Sequence, residues 1–400
     1  MKFIHTADLH LDSPFLGLQH TPAKIKKDIM QSTFAAFKKI VSNAISTHID
    51  FIVIAGDIYD RDSHSVQAEN FFIQQCELLQ KNSIDVYLSY GNHDYQIVNY
   101  DKSLLPSNVH VFANQVETKT FTTTDGTKVA ITGFSYDTRW VTDDMTGLYP
   151  SRSQVDVQIG MLHGMVSGSN AKHDNYAPFS VAELTAKNYD YWALGHIHAH
   201  QVLSENPWVI YSGNPQGRHK NETGSKGYYE VDYQNHQLQP VFKTVAPIDW
   251  EKLVIEINQD MTAQTLQTVL VQSLKEHAND TNQIIQIELH GDTVTPDIQD
   301  NIESGLLLES LQRVTSEWQP NWVWPTEIKV TENAVLPGMT SLDRQYWETA
   351  AGEVFNQDTL HELTNKLFAN QFIADEFDNQ TAIESLKEQI ELDLSMKGEK

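Results

Sequence analysis

"FIVIAGDIYD", residues 51–60, sets five apolar residues against a Gly-Asp pair, with a second acid three positions further on. A run this short and rich in β-branched side chains predicts a strand buried on both faces rather than a helix. Its first charged group comes where the strand ends. The same grammar recurs in "KFIHTADLH" (2–10), "VYLSYGNHD" (86–94), "VQIGMLHG" (157–164) and "YWALGHIH" (191–198). Between the first two strands, "STFAAFKKIVSNAIS" (32–46) places Phe34, Phe37, Val41, Ala44 and Ile45 on one helical stripe. The β-α-β order predicts a layered α/β domain. In such sheets, ligands gather beyond the carboxyl ends of the strands, and there each apolar run delivers an Asp, Asn or His.

Collected in order, the strand-end groups are Asp8 and His10, Asp57, Asn92 and His93, His163, and His196 and His198. A mixture of carboxylate, imidazole and one amide oxygen suits a first-row divalent ion such as Mn²⁺, Fe²⁺ or Zn²⁺ better than the all-oxygen cages of Ca²⁺ or Mg²⁺. With His93 set aside, the remaining donors are too many for one tetrahedral ion and natural for two ions sharing a bridging carboxylate. A lone DxH, GD or HxH occurs often by chance. Their succession, each at a strand end, does not.

Taken together, DxH, GDxxD, GNHD, a single His and GHxH resemble the calcineurin-like metallophosphoesterase superfamily over about residues 1–215. The resemblance implies a four-layer α/β/β/α domain binding two divalent metal ions, with Mn²⁺ expected ahead of Fe²⁺ or Zn²⁺. It implies that Asp8, His10, Asp57 and His198 hold the first ion, that Asp57 bridges, and that Asn92, His163 and His196 complete the second. His93 matches the catalytic histidine that lies over the scissile phosphate without binding metal. Asp60 matches the acid that orients this histidine in the family's phosphatases, so a His93–Asp60 pair is expected, although the archaeal and eukaryotic double-strand-break nucleases tend to carry His there. Arg61 matches a phosphate-contacting arginine, with an exposed ion pair as the plainer reading.

"FIHTADLHLDSPF" (3–15) and "IYSGNPQGRHKNETGSKGYYEVD" (210–232) further resemble the bacterial SbcD and YhaO-like DNA-repair exonuclease branch. That branch implies DNA as substrate and an SbcC-like ABC-type ATPase with a long coiled coil as partner. A homodimer is compatible with it. Arg218 and Lys220, with Lys226, stand against Glu222 alone between positions 213 and 226. They read as a basic loop able to contact phosphates, or as an ordinary surface turn. A phosphomonoesterase or cyclic-nucleotide phosphodiesterase is the enzymatic alternative, and a DNA-binding scaffold subunit the non-catalytic one.

The net charge of −25 argues against nucleic acid as a partner on its own, since phosphate binding draws on Lys and Arg. Its distribution qualifies this. From Glu251 onward there are 27 acidic and 9 basic residues, against 26 and 19 before it. After "PIDWEKLVIEIN" (247–258) the texture changes to a small α/β pattern, with helices expected over 262–278 and in the last 45 or so residues, where Leu360, Leu363 and Leu367, then Ile383, Leu386 and Ile390, share faces. The expected division is therefore a phosphoesterase domain (1–245), a small α/β cap domain (246–340) and a helical segment (341–400). No stretch has the length of a membrane span or the pattern of a signal peptide, and a cytoplasmic location is expected. Cys76 sits at helical spacing with Phe72 and Leu79, as a buried apolar residue does. His5 is expected to hydrogen-bond beside the site rather than to ligate. Trp318, Trp322 and Trp324 are expected to pack a core rather than to stack on bases.

Overall fold

The computed structural model describes residues 1–15, 21–60, 65–96, 104–167, 176–258, 260–291 and 294–332, together with 351, 354, 356 and 359. The helical faces expected beyond residue 359, and Arg61, lie outside the described residues. The described chain divides into two compact units. One comprises Met1–Leu253, Gln267–Ile287 and Asn301–Ile328, and the other Val254–Leu266, Glu288–Asp300 and Lys329–Lys400.

In chain order the strands of the first 245 residues are β1 (Lys2–Thr6), β2 (Phe51–Ala55), β3 (Asp85–Ser89), β4 (Val109–Val111), β5 (Glu117–Thr122), β6 (Lys128–Gly133), β7 (Val157–His163), β8 (Tyr191–Gly195), β9 (Gln201–Glu205), β10 (Trp208–Tyr211), β11 (Gly227–Gln234) and β12 (Gln237–Thr244). They form two six-stranded sheets, ordered β12-β11-β1-β2-β3-β4 and β5-β6-β7-β8-β10-β9. The five strands predicted to carry the site are thus shared between them: β1, β2 and β3 are parallel neighbours in one sheet, β7 and β8 in the other.

The pleat explains the layering. Phe3, Phe51, Val53 and Tyr87 point inward to meet Val129, Ile131, Val157, Ile159, Met161, Tyr191 and Ala193 of the second sheet. Their neighbours Ile4, Ile52, Ile54, Val86 and Leu88 point outward, onto α2 (Ser32–Ser46), which follows α1 (Ala23–Met30), and onto α3 (Val66–Lys81). On the far side, Leu162, Trp192 and Leu194 pack under Phe179, Tyr189 and Leu184 of α4 (Val181–Ala186). Strands covered on both faces read as continuous apolar runs, which is why these five were visible in the sequence. The more polar strands were not. β12 even carries Pro240, tolerated because an edge strand need not donate a hydrogen bond on its open side. Helix α2 spans the predicted stripe, and Cys76 on α3 is buried, with burial pushing its thiol pKa up.

Beyond residue 247, β13 (Ile248–Glu256), β14 (Asn282–Gly291) and β15 (Val323–Glu332) form a three-stranded sheet. Helices α5 (Ala263–His277), α6 (Pro296–Glu303) and α7 (Leu306–Thr315) connect them along the chain. Within the first unit, Trp322 and Trp324 are buried with Trp250, Phe15, Ile25 and Ile29, and Trp322 Nε1 donates to Asp28 at 3.0 Å. The rings of Trp322 and Trp324 are core, whereas Trp318 is half-buried and lies outside this cluster. Among the described residues, no helix is long and apolar enough to cross a membrane.

His5 lies fully buried between the sheets. Its Nε2 donates to the Leu194 carbonyl at 3.2 Å, which leaves Nδ1 to accept from the Tyr191 hydroxyl at 2.9 Å. Burial lowers its pKa to about 3. The native state therefore stays neutral where the unfolded chain, near pKa 6.5, takes up a proton. Stability is full above that pH and falls as pH drops towards 3, by at most about 1.4 kcal/mol per pH unit from this group. We expect urea unfolding of chelator-treated protein to show a shallower loss of stability between pH 6.5 and 4 in His5→Gln than in the wild type.

Candidate metal centre

The predicted donors come together where β1, β2 and β3 of one sheet and β7 and β8 of the other end. Four of them adopt left-handed backbone: Asp8 (φ 53°), His10 (φ 41°), Asp57 (φ 52°) and His196 (φ 95°). Each such residue costs on the order of 1–3 kcal/mol and persists only where its surroundings impose it. Here the strand-end loops tie each other down. Asp8 N donates to Gly56 O at 3.0 Å and His10 N to Asp57 O at 3.1 Å. Buried Asp94 accepts from Ile58 N (2.9 Å), Tyr59 N (3.1 Å) and Gly91 N (3.2 Å), which joins the loop of Asp57 to the loop of Asn92 and His93. Burial and the charge of Asp57 push its carboxyl up to about 7, against the pull of these three N–H groups.

Asp57 occupies the centre. Its Oδ1 accepts from His93 N at 3.0 Å, while Oδ2 lies 3.4 Å from His163 Nε2 and 3.8 Å from His10 Nε2. Burial raises the Asp57 pKa, but the nearby His163, His93 and His10 outweigh it and hold the carboxyl well below the usual range. His163 is buried too, yet the charge of Asp57 lifts it to about 9. Burial pushes Asp8 up and both His10 and His196 down. Asp8 accepts from His196 N through both oxygens, at 3.0 and 3.1 Å. Asn92 Oδ1 lies 2.9 Å from His163 Nε2 and 3.2 Å from His196 Nδ1.

Among the described residues, three triads have donor atoms close enough to share an ion: Asp8, His10 and His198; Asp8, Asp57 and His163; and His10, Asp57 and His93. The first two share Asp8, the last two share Asp57, and the third includes His93, which the resemblance sets apart from the metal ligands. The tautomers support cations as well. His198 Nδ1 is 2.7 Å from the Glu222 carboxylate, so its proton belongs on Nδ1 and its Nε2 is left as an acceptor. His10 Nε2 lies 3.1 Å from that atom, while His10 Nδ1 stands 3.5 Å from the Asp60 carboxylate without a hydrogen bond to it. His163 Nδ1 donates to Ala55 O at 3.0 Å, which likewise leaves Nε2 as its donor atom.

The expected His93–Asp60 pair takes a different form. His93 Nδ1 meets the main-chain carbonyl of Asp60 at 2.8 Å. The Asp60 carboxylate is engaged by Arg218 Nη1 and by Ser13 Oγ at 3.3 Å. The basic loop also differs from expectation. Arg218 pairs with Asp60, Lys220 lies 3.3 Å from Glu327, and Lys226 is buried and donates to the His198 carbonyl at 2.9 Å. Of the three, only Arg218 is drawn in by carboxylates beside the centre, while Lys220 stays more than a third exposed. His200, outside the predicted donor set, stacks its ring on Phe242 with centroids 3.9 Å apart. The residue that sequence reasoning passed over is Glu222, whose partner His198 stands 24 positions away. Burial pushes its carboxyl up, but His198 and Arg218 outweigh this and hold it well below the usual range. The only local signal was a single acid within a run of cations.

A family model described as calcineurin-like phosphoesterase matches residues 1–200. The chain is 38% identical over 351 residues to a Bacillus subtilis protein named uncharacterized metallophosphoesterase YhaO, covering 86% of this chain and 84% of that one. It is 25% identical over 271 residues to the DNA double-strand break repair protein Mre11 of Methanocaldococcus jannaschii, covering 64% and 69%. It is 26% identical over 263 residues to the SbcD component of the nuclease SbcCD of Staphylococcus epidermidis, covering 60% and 67%.

Gly91 makes the closeness of these loops testable. A Cβ there would stand 2.2 Å from Asp57 Oδ1 and 2.8 Å from Asp57 N, with backbone unable to give way. Gly91→Ala should displace the central carboxylate and weaken Mn²⁺ binding by about 10- to 100-fold, the scale for losing support around a metal ligand. Calorimetric titration of metal-free protein measures this. Gly147→Ala, with nothing within 4 Å of its Cβ, should leave binding unchanged.

Proposed function

Because the chain belongs to the calcineurin-like phosphoesterase family, we propose that it hydrolyses the phosphodiester bonds of DNA as a metal-dependent exonuclease. The observation that carries this reading is the convergence, at the ends of five strands, of Asp8, His10, Asp57, Asn92, His163, His196 and His198 around one buried centre with His93 beside it. Relatives named for DNA-break repair and for an SbcCD nuclease, each matched over most of its length, support DNA over a small phosphoester.

Asp8, His10, Asp57 and His198 would hold one divalent ion and Asn92, His163 and His196, sharing Asp57, a second, with Mn²⁺ the expected metal and Fe²⁺ or Zn²⁺ the alternatives. Such a pair supplies an acidified water nucleophile and neutralises charge on the phosphate oxygens. The protein's own share of the reaction falls to His93. With Nδ1 committed to the Asp60 carbonyl, Nε2 is the nitrogen left to deliver a proton to the departing oxygen. The carbonyl accepts from Nδ1–H in both the neutral and the protonated ring, so the imidazole keeps its orientation through the transfer. Arg218 enters as a residue that orders Asp60 at the edge of the site, and Lys220 as one at the rim.

The chain is acidic, and the cations of its loop are internally paired. Positive potential for a polyanion must then come largely from bound metal and from a partner. We propose an SbcC-like coiled-coil ABC-type ATPase in that role, with a homodimer of this chain as the core of the assembly in the cytoplasm.

End-labelled single- and double-stranded DNA, incubated with metal-free protein plus Mn²⁺, Mg²⁺ or Zn²⁺, tests the reading. Metal-dependent shortening of DNA should exceed turnover of a chromogenic phosphomonoester or a cyclic nucleotide. His93→Ala should lower the rate by about 10²- to 10⁴-fold while retaining metal. No metal-dependent degradation, with or without a co-expressed ATPase, overturns it. Faster turnover of the small substrates would assign the site to them instead.

A further inference from the structure

The Glu222 side chain is nearly enclosed, and its two oxygens are fully committed. Oε1 takes His198 Nδ1 at 2.7 Å and His219 Nε2 at 3.1 Å, with Arg218 Nε 3.6 Å away. Oε2 accepts from Asn214 Nδ2 at 2.6 Å and from Arg218 N at 2.8 Å. A carboxylate held from so many directions cannot turn, so it presents one fixed acceptor to His198. The guanidinium that lies along it reaches on to Asp60, whose Oδ1 stands 3.5 Å from His10 Nδ1. A chain of contacts therefore runs behind the centre from His198 through Glu222 and Arg218 to Asp60, with His10 Nδ1 3.5 Å beyond it. The inner nitrogens of the two histidines face each other at 3.1 Å.

We propose that Glu222 is a positioning residue for the metal centre: bridged by Arg218 to Asp60, it fixes the tautomer and orientation of His198 and thereby sets the affinity of one of the two metal ions selectively. The proposal rests on the metal-centre part of the reading above and not on DNA as substrate. Its physical basis is that a histidine ligates through one nitrogen only while the other carries the proton, and that a carboxylate on the protonated side fixes this choice and raises the basicity of the ligating side. The selectivity follows from position. His163 takes its orientation from the Ala55 carbonyl and not from this chain, so the ion it serves is independent of Glu222.

Mn²⁺ titration of metal-free protein by calorimetry, with bound metal counted after dialysis, tests the proposal on Glu222→Gln. The wild type should bind two ions. Glu222→Gln should bind one with wild-type affinity and the other about 10- to 100-fold more weakly. Arg218→Met, which cuts the bridge while leaving Glu222 beside His198, should weaken the same ion by less, and it supplies the answer should the Gln variant fail to fold. In the metal-free protein, ¹⁵N shifts of the His198 ring should report a proton on Nδ1 in the wild type and a mixture of tautomers in Glu222→Gln. Two ions bound with unchanged affinities in both variants overturns the proposal, as does equal weakening of both ions. A wild type that binds no metal overturns the metal centre itself. A wild type that binds two ions and shows the selective loss, yet leaves DNA intact, supports the clamp and sinks only the exonuclease.

Discussion

Two carboxylates, Asp8 and Asp57, are placed where two sheets press together, and both are almost completely shielded from water. Leaving such charges unpaired in a medium of low dielectric would cost several kcal/mol each. The surroundings answer this constraint with backbone N–H groups, with four imidazoles and with space for cations. Much of the local structure follows: the left-handed turns that aim N–H groups and side chains inward, the glycines that let loops touch, and the lattice of hydrogen bonds from Asp94 that locks one loop to the next.

The same constraint shapes the periphery. Histidines recruited to offset the carboxylates need their outer nitrogens satisfied, and those of His163 and His198 are met by the Ala55 carbonyl and by Glu222. The outer carboxylates in turn draw in Arg218. Charge alternates outward from the centre, and Arg218 of the 213–226 loop is taken up in that alternation. An acidic protein can hold a cation-binding site of this kind without exposing a basic surface.

How much of this could be read from the chain depends on the range of the interaction. The strand-end donors were legible because each is announced locally, by an apolar run too short for a helix that stops at Asp, Asn or His. That the runs belong to two sheets was not legible from periodicity, which reports burial on both faces without saying what covers them. It came from the resemblance carried by the ordered motifs. β4, β5, β9 and β12 were missed because edge and half-exposed strands carry too few apolar side chains to stand out from loops. Asp60 was found in its place but not in its contact, since the register of a loop decides whether its carbonyl or its carboxylate meets His93.

The sequence by itself determined which polar residues stand at the ends of the buried strands and the family to which the chain belongs, because these depend on residue type and on spacing along one strand or one turn. Only the tertiary structure decided which nitrogen of His163 and His198 is free to ligate, that His200 stacks on Phe242, and that Glu222 joins the centre from a loop 24 positions on. The reason is geometric. A tautomer is set by whatever lies on the far side of the ring, and what lies there is delivered by chain segments whose distance in sequence says nothing of their distance in space.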